Sequence, residues 1–258
     1  MIRNQGDFVT IADRLRTAKN LLNWEPQTNN SMPTTYSVFD IAGPIMVGPS
    51  SSHTAGAVKL GQLAQAIYDA TPERVVFQLH GSFGTVTKGH ATDRALLAGI
   101  MKFKTSDPRI KDAFKEAKKR HIDYEFQVVD LGPKFHPNTV RIILQKGDRT
   151  MSISGSSIGG GNVMICQVNN FDVDIRAMAG KYKSIIVSHE SSNRSLEELT
   201  AYLIKKGHHI ASVQTSKINS HAMSIVNIDK KHLTLDEVLA LEQIPGIEFV
   251  RSLTKLAH

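Results

Sequence analysis

Apolar positions change period several times along the chain. From Val38 to Val47 and from Arg74 to His80 they form short runs that predict strands, whereas from Ala55 to Ala70 and from Ala91 to Phe103 they recur at helical spacing. The order strand, glycine-containing loop, helix thus occurs twice. Each loop carries hydroxyls and a histidine, so the two loops are expected to face one another across a shared cleft. Tyr124 to Asp130 and Thr139 to Gln145 read as short strands on either side of the turn-rich Leu131–Asn138. Met151 to Ser154 and Asn162 to Val168 then flank a loop of three glycines, Gly159, Gly160 and Gly161. Such a loop serves either as a hairpin turn or as a nest of main-chain N–H groups for an anion.

The last third has a different rhythm. Ser184 to His189, a helix from Ser195 to Lys206 ended by Gly207, then His209 to Lys217, His221 to Ile228, a helix from Leu235 to Glu242 and Glu248 to Lys255 give the order βαββαβ. That order is a ferredoxin-like split βαβ, and the chain as a whole reads as α+β. Ahead of these units, residues 1 to 35 are polar, and only Phe8, Ile11, Leu15 and Leu22 fall at helical spacing. We treat 1–35 as an extension. Because Met32 stands just before the first strand-like residues, residues 1 to 31 read equally as a misassigned start or as a short docking helix. Domain bounds of 36–180 and 183–258 follow.

One segment concentrates chemistry. Residues 48 to 56, Gly-Pro-Ser-Ser-Ser-His-Thr-Ala-Gly, open the first predicted helix. A helix N-terminus leaves main-chain N–H groups unpaired and carries partial positive charge, so a carboxylate or phosphate docked there meets ready donors, to which Ser51, Ser52 and Thr54 add hydroxyls. His53 titrates near neutrality and is suited to moving a proton on whatever the hydroxyls hold. The plainer reading is a serine N-cap followed by a solvent-facing histidine.

Composition narrows the choices. With 258 residues, 41% of them hydrophobic, the chain can bury two cores. No apolar run approaches the roughly 20 residues of a membrane span, and the charged N-terminus lacks the apolar core of a signal peptide, so a cytoplasmic protein with no membrane partner is expected. The net charge of +7 raises nucleic acid as a partner. Its basic residues are dispersed, however, with a run only near Lys115 to Arg120 that suits a solvated helix face, so no nucleic-acid role is expected. The single cysteine, Cys166, lies in the apolar stretch 163–168 and reads as a small strand residue. One thiolate cannot hold an iron-sulfur cluster. His208, His209, His221 and His232 show no metal-ligand spacing and read as surface or strand positions, so no metal site is assigned to this chain.

Residues 37 to 56, ending in that Ser-Ser-Ser-His-Thr-Ala-Gly, resemble the opening of the beta subunit of the two-subunit, iron-sulfur-dependent L-serine dehydratases. Further matches follow in the same order: residues 81 to 93 (Gly-Ser-Phe-Gly-Thr-Val-Thr-Lys-Gly-His-Ala-Thr-Asp), 136 to 139 (His-Pro-Asn-Thr) and 155 to 161 (Gly-Ser-Ser-Ile-Gly-Gly-Gly). The resemblance implies a cytoplasmic lyase of amino-acid catabolism and gluconeogenesis that deaminates L-serine to pyruvate and ammonia. It also implies a 4Fe-4S cluster whose ligands lie on a separate alpha subunit, so that this chain is inactive alone. It marks His53 as the proton-transfer residue, with Ser51, Ser52 and Thr54 holding the substrate carboxylate. His90 is a second candidate for proton transfer and reads equally as a capping histidine at a helix start. His136 and Asn138 are candidate substrate-binding positions that read equally as a turn-stabilising pair, and Gly160 and Gly161 are candidates through the glycine loop. The first domain is also similar to the allosteric substrate-binding domain of some phosphoglycerate dehydrogenases, which leaves open a non-catalytic subunit that senses an amino acid or anion. The second is similar to the ACT domain, a dimerising and often amino-acid-binding module, although His189-Glu-Ser-Ser-Asn-Arg-Ser195 stands where an acidic residue and Pro-Gly are common.

Overall fold

Helix α1 (Gly56–Tyr68) is buried at every position except Gln62 and Ala66, because it is covered on more than one side. The computed structural model, which describes residues 46–85, 91–176, 182–229 and 232–253, lays it across a six-stranded sheet and beside a second helix, α2 (Thr92–Ile100). Leu60, Leu63, Ala64 and Ile67 supply a helical stripe for the sheet. The helix stops at Asp69, in the left-handed region at φ 57°, whose N–H closes on the Gln65 carbonyl. At the crossing with α2 the two helices touch backbone to backbone. A Cβ on Gly99 would overlap the Val58 carbonyl oxygen and lie 2.8 Å from Gly61 Cα.

The first sheet contains β1 (Arg74–Leu79), β2 (Asp123–Val128), β3 (Thr139–Lys146), β4 (Arg149–Gly159), β5 (Asn162–Val168) and β6 (Phe171–Arg176) in the order β2-β1-β3-β4-β5-β6. Only β1 and β2 are parallel, joined by a crossover that carries α2 and α3 (Ala113–Lys119). Val75, Phe77 and Leu79 alternate onto the helix-covered face with Val140, Ile142 and Leu144. Strand β4 runs well past the predicted 151–154, because its pairing with β3 continues to Ser156 opposite Thr139. Strand β6 was not expected. The predicted strand Val38–Val47 and the extension 1–35 lie outside the described residues up to 45, and Met46 and Val47 are not in a strand.

The βαββαβ order is realised as β7 (Tyr182–Glu190), α4 (Asn193–Lys205), β8 (Ile210–Ile218), β9 (His221–Asp229), α5 (Leu235–Glu242) and β10 (Ile247–Leu253). Its sheet order β10-β7-β9-β8, antiparallel throughout, is that of a split βαβ. Alternate residues explain the near-continuous apolar runs of β7 and β9. Ile185, Val187, Val226 and Ile228 face α4 and α5, while Ile186, Met223 and Ile225 join the core of the first sheet. Helix α5 opens with a capping box: Thr234 Oγ1 accepts from Glu237 N at 3.2 Å, and the Glu237 carboxylate accepts from Thr234 N at 2.8 Å.

His208 corrects a sequence expectation. It is no surface or strand residue. Gly207, at φ +81°, turns the chain under the end of α4, the His208 N–H closes on the Leu203 carbonyl, and the ring is buried with Nε2 3.2 Å from Glu237 Oε1.

Candidate functional site

Helix α1 does not begin as an α-helix. Ser50 is extended, its Oγ accepts from the His53 N–H at 3.1 Å, and Ser51–Ala55 form a π turn closed by the Gly56 N–H on the Ser51 carbonyl. Such turns are wider than α and recur at functional positions. Ser51, Ser52 and His53 remain partly exposed on this turn. Thr54, expected beside a ligand, is wholly buried and packs where a side chain on Gly48 would stand, so it braces the turn from beneath.

The His53 ring is held on three sides. Nε2 lies 3.0 Å from Ser82 Oγ, Nδ1 lies 3.4 Å from Ser50 Oγ, and the buried Phe83 ring meets it edge-on with centroids 5.4 Å apart. Ser50 Oγ also accepts from the His53 main chain, and both ring nitrogens face hydroxyls, which can donate or accept. Ser82 opens the helical turn Ser82–Thr85 that follows β1, which brings the second strand-loop-helix unit onto the first.

Behind Ser82 the structure closes a ring. The Ser82 N–H donates to the Pro137 carbonyl at 2.8 Å, an approach that needs Gly81, where a Cβ would lie 2.6 Å from that oxygen. The Asn138 carbonyl accepts from Ser157 N at 2.9 Å. Ser157 in turn lies against Gly56, the residue that closes the π turn, where an added Cβ would overlap Ser157 Oγ. Thr139 Oγ1 donates to the His136 carbonyl and sits 2.6 Å from Ser156 Oγ, which ties this loop to β4. The ring thus runs from His53 through Ser82, Pro137, Asn138 and Ser157 back to Gly56.

Several expected positions therefore converge: Ser51, Ser52 and His53 on the turn, and Asn138 through its main chain. His136 does not. It is exposed, and its Nδ1 accepts from the Asn138 N–H at 3.0 Å, so it shapes its own turn. Gly159, Gly160 and Gly161 form the β4–β5 hairpin turn, all at positive φ, and the Gly161 carbonyl accepts from Lys59 Nζ of α1 at 2.7 Å. Burial lowers the Lys59 pKa. His90 lies outside the described residues. Sequence reasoning missed Ser50, Ser82, Ser157 and Lys59. Each owes its place to a contact distant in sequence or to a neighbour that looked more reactive.

The one cysteine is placed where it does not suit a cluster. Cys166 Sγ donates to the Ser154 carbonyl at 3.4 Å, and burial pushes its thiol pKa up, away from the thiolate that ligation needs. Among the described residues no group of three or more His, Cys, Asp and Glu gathers as a metal site. No described helix is long and apolar enough to cross a membrane.

Residues 37–167 match the family model "Serine dehydratase beta chain". The chain is 40% identical over 201 residues to an L-serine dehydratase beta chain of Peptoniphilus asaccharolyticus, covering 76% of this chain and 89% of that one. It is 35% identical over 212 residues to a probable L-serine dehydratase beta chain of Bacillus subtilis, covering 82% and 94%. A third similarity, to L-serine dehydratase TdcG of Escherichia coli, is 32% over 152 residues, half of this chain but 33% of that protein. Among solved structures, the ACT domain of a Chlorobium tepidum GTP pyrophosphokinase aligns at 17% identity with a TM-score of 0.24, over 28% of this chain and 96% of that one.

Proposed function

The chain belongs to the serine dehydratase beta-chain family, and we propose that its π turn, with Ser82, forms this subunit's half of the site that eliminates water from L-serine. The observation that carries the reading is the 3.0 Å pair between His53 Nε2 and Ser82 Oγ. It brings the described parts of the two hydroxyl loops, residues 48–56 and 81–85, within hydrogen-bonding distance of each other.

The reaction moves a proton off Cα and a hydroxyl off Cβ as water, and the resulting aminoacrylate hydrolyses to pyruvate and ammonia. It needs a base, an acid at the leaving oxygen and an anchor for the carboxylate. In this chain the Ser51 and Ser52 hydroxyls of the turn face the carboxylate. His53, fixed by Ser50, Ser82 and Phe83, moves the proton. His90 is the second candidate for that role. Asn138, Gly160 and Gly161 border the same cleft, with His136 shaping the loop behind it and Thr54 bracing the turn.

The 4Fe-4S cluster, for which this chain has no ligand set, belongs to an alpha subunit. The extent of the matches supports such a partner: beta-chain relatives are covered nearly end to end, but only a third of the longer E. coli protein is. The βαββαβ unit is an ACT-like module and the homodimer contact, and the enzyme works in the cytoplasm. A purely regulatory, effector-sensing subunit is not favoured, since the relatives are chains of the dehydratase itself.

The test is an anaerobic L-serine to pyruvate assay of this chain with and without the iron-sulfur subunit. Activity is expected only in the mixture. His53→Ala should lower kcat by about two orders of magnitude or more while the subunits still assemble. A variant with unchanged kcat removes His53 from the chemistry.

A further inference from the structure

Lys59 is a buried cation without a counter-ion among the described residues. It is 8% exposed, and among the described residues its ammonium makes one hydrogen bond, to the Gly161 carbonyl at 2.7 Å, with no carboxylate in ion-pair range. An ammonium carries three donors, and buried charges in folded proteins are ordinarily paired. A second group is left over close by. Ser157 is fully buried, and its Oγ has no hydrogen-bond partner among the described residues.

Both belong to the same contact. Gly56 lies against Ser157, and Lys59, one helical turn later, reaches the turn that follows Ser157. Gly56 is three residues from His53 and three from Lys59, and helical side chains lean toward the N-terminus, so Lys59 leans back toward the π turn. The hairpin turn beside it is built of three glycines at positive φ, and the space where a Gly159 side chain would stand is open. The turn thus brings no side chain of its own to the space beside Lys59.

We propose that Lys59 is the counter-ion of the substrate carboxylate. The carboxylate seats between Nζ, the Ser157 hydroxyl and the glycine turn, and supplies the acceptors that these groups lack among the described residues. The inference rests on the dehydratase reading, and it extends the anchor from the hydroxyls of the π turn to a fixed charge. Lys59 acts here as a binding and positioning residue, while His53 moves the proton.

The experiment uses the two-subunit holoenzyme with Lys59→Met, which keeps the stem and removes the charge, and with Lys59→Arg. L-Serinamide, which has no carboxylate, serves as a competitive inhibitor. Lys59→Met is expected to raise KM for L-serine at least about tenfold, the scale of a lost hydrogen bond to a charged group, with kcat within a few-fold and the serinamide inhibition constant unchanged. Lys59→Arg should restore KM to within a few-fold of the parent. Parallel weakening of serine and serinamide would show that Lys59 only holds the glycine turn in shape, and an unchanged KM would also overturn the proposal. If Lys59→Met does not assemble, Ser157→Ala carries the same test, with KM for serine raised about threefold to tenfold and serinamide unaffected. A parent holoenzyme that does not deaminate L-serine would instead refute the dehydratase reading, whatever Lys59 does.

Discussion

Gly99→Ala is the sharpest structural test, because two opposed effects have different sizes. Alanine in place of glycine inside a helix is worth about 1 kcal/mol in propensity. Here, however, the new methyl group would overlap the Val58 carbonyl oxygen and stand 2.8 Å from Gly61 Cα and 2.9 Å from Gln62 N, all of them backbone atoms of α1. No rotamer change relieves a clash with backbone, so α1 and α2 must part. Overpacking of this kind costs about 1–3 kcal/mol, and a backbone clash belongs at the upper end. The net loss is then about 2 kcal/mol. For a chain of this size that is a melting temperature lower by about 4–8 °C. Urea and thermal unfolding of the purified chain measure it directly. Because α1 carries the His53 turn and α2 also packs on that turn, activity of the assembled enzyme should fall as well. An unchanged or raised melting point would refute the helix-crossing argument.

Three further outcomes follow from contacts already described. Ser82→Ala removes a hydrogen bond from the His53 ring and should lower kcat about threefold to tenfold, with a shift in the acid limb of the kcat–pH profile; a profile identical to the parent's would separate Ser82 from the reaction. Thr234→Ala breaks the α5 capping box and should cost about 1 kcal/mol in urea denaturation, without changing KM for serine. His189 is buried, bonded through Nε2 to Ser224 Oγ, and desolvation lowers its pKa, with the Lys217 charge adding in the same sense. The unfolded chain takes up that proton near pH 6.5 while the folded chain resists it, so stability is lost as pH falls through this range. The urea midpoint should therefore be lower at pH 5.5 than at 7.5, and His189→Asn should narrow the difference. An equal midpoint in the parent would refute the assignment.

The helices and most strands were legible because each buries a face whose period is visible locally. Strand β6 carried its signal too, in the alternation of Phe171, Val173 and Ile175 with Asp172, Asp174 and Arg176, but it is short and charged enough to pass for a loop. The motif that opens α1 drew attention to this turn for a local reason, its density of hydroxyls. It could not reveal a π geometry, which depends on how α1 meets the sheet. Ser82 and Ser157 look like ordinary serines in sequence, and only the approach of β1, the 137–138 loop and β4 gives them partners or denies them one. Lys59 carries no local signal in the sequence, since its burial depends on the distant β4–β5 hairpin, whose Gly161 carbonyl it meets.

Helix α1 also sets how long the His53 turn keeps its shape. Its residues are buried nearly end to end, and its far end is held by Asp69, which pairs with Arg251 of β10 at 3.7 Å. Amides in such a segment exchange with solvent water only when the whole unit opens. The slowest-exchanging hydrogens of the first domain should therefore lie in the helix that carries His53. Any partner that docks on the turn meets a surface already at its final geometry, with little ordering left to do on binding.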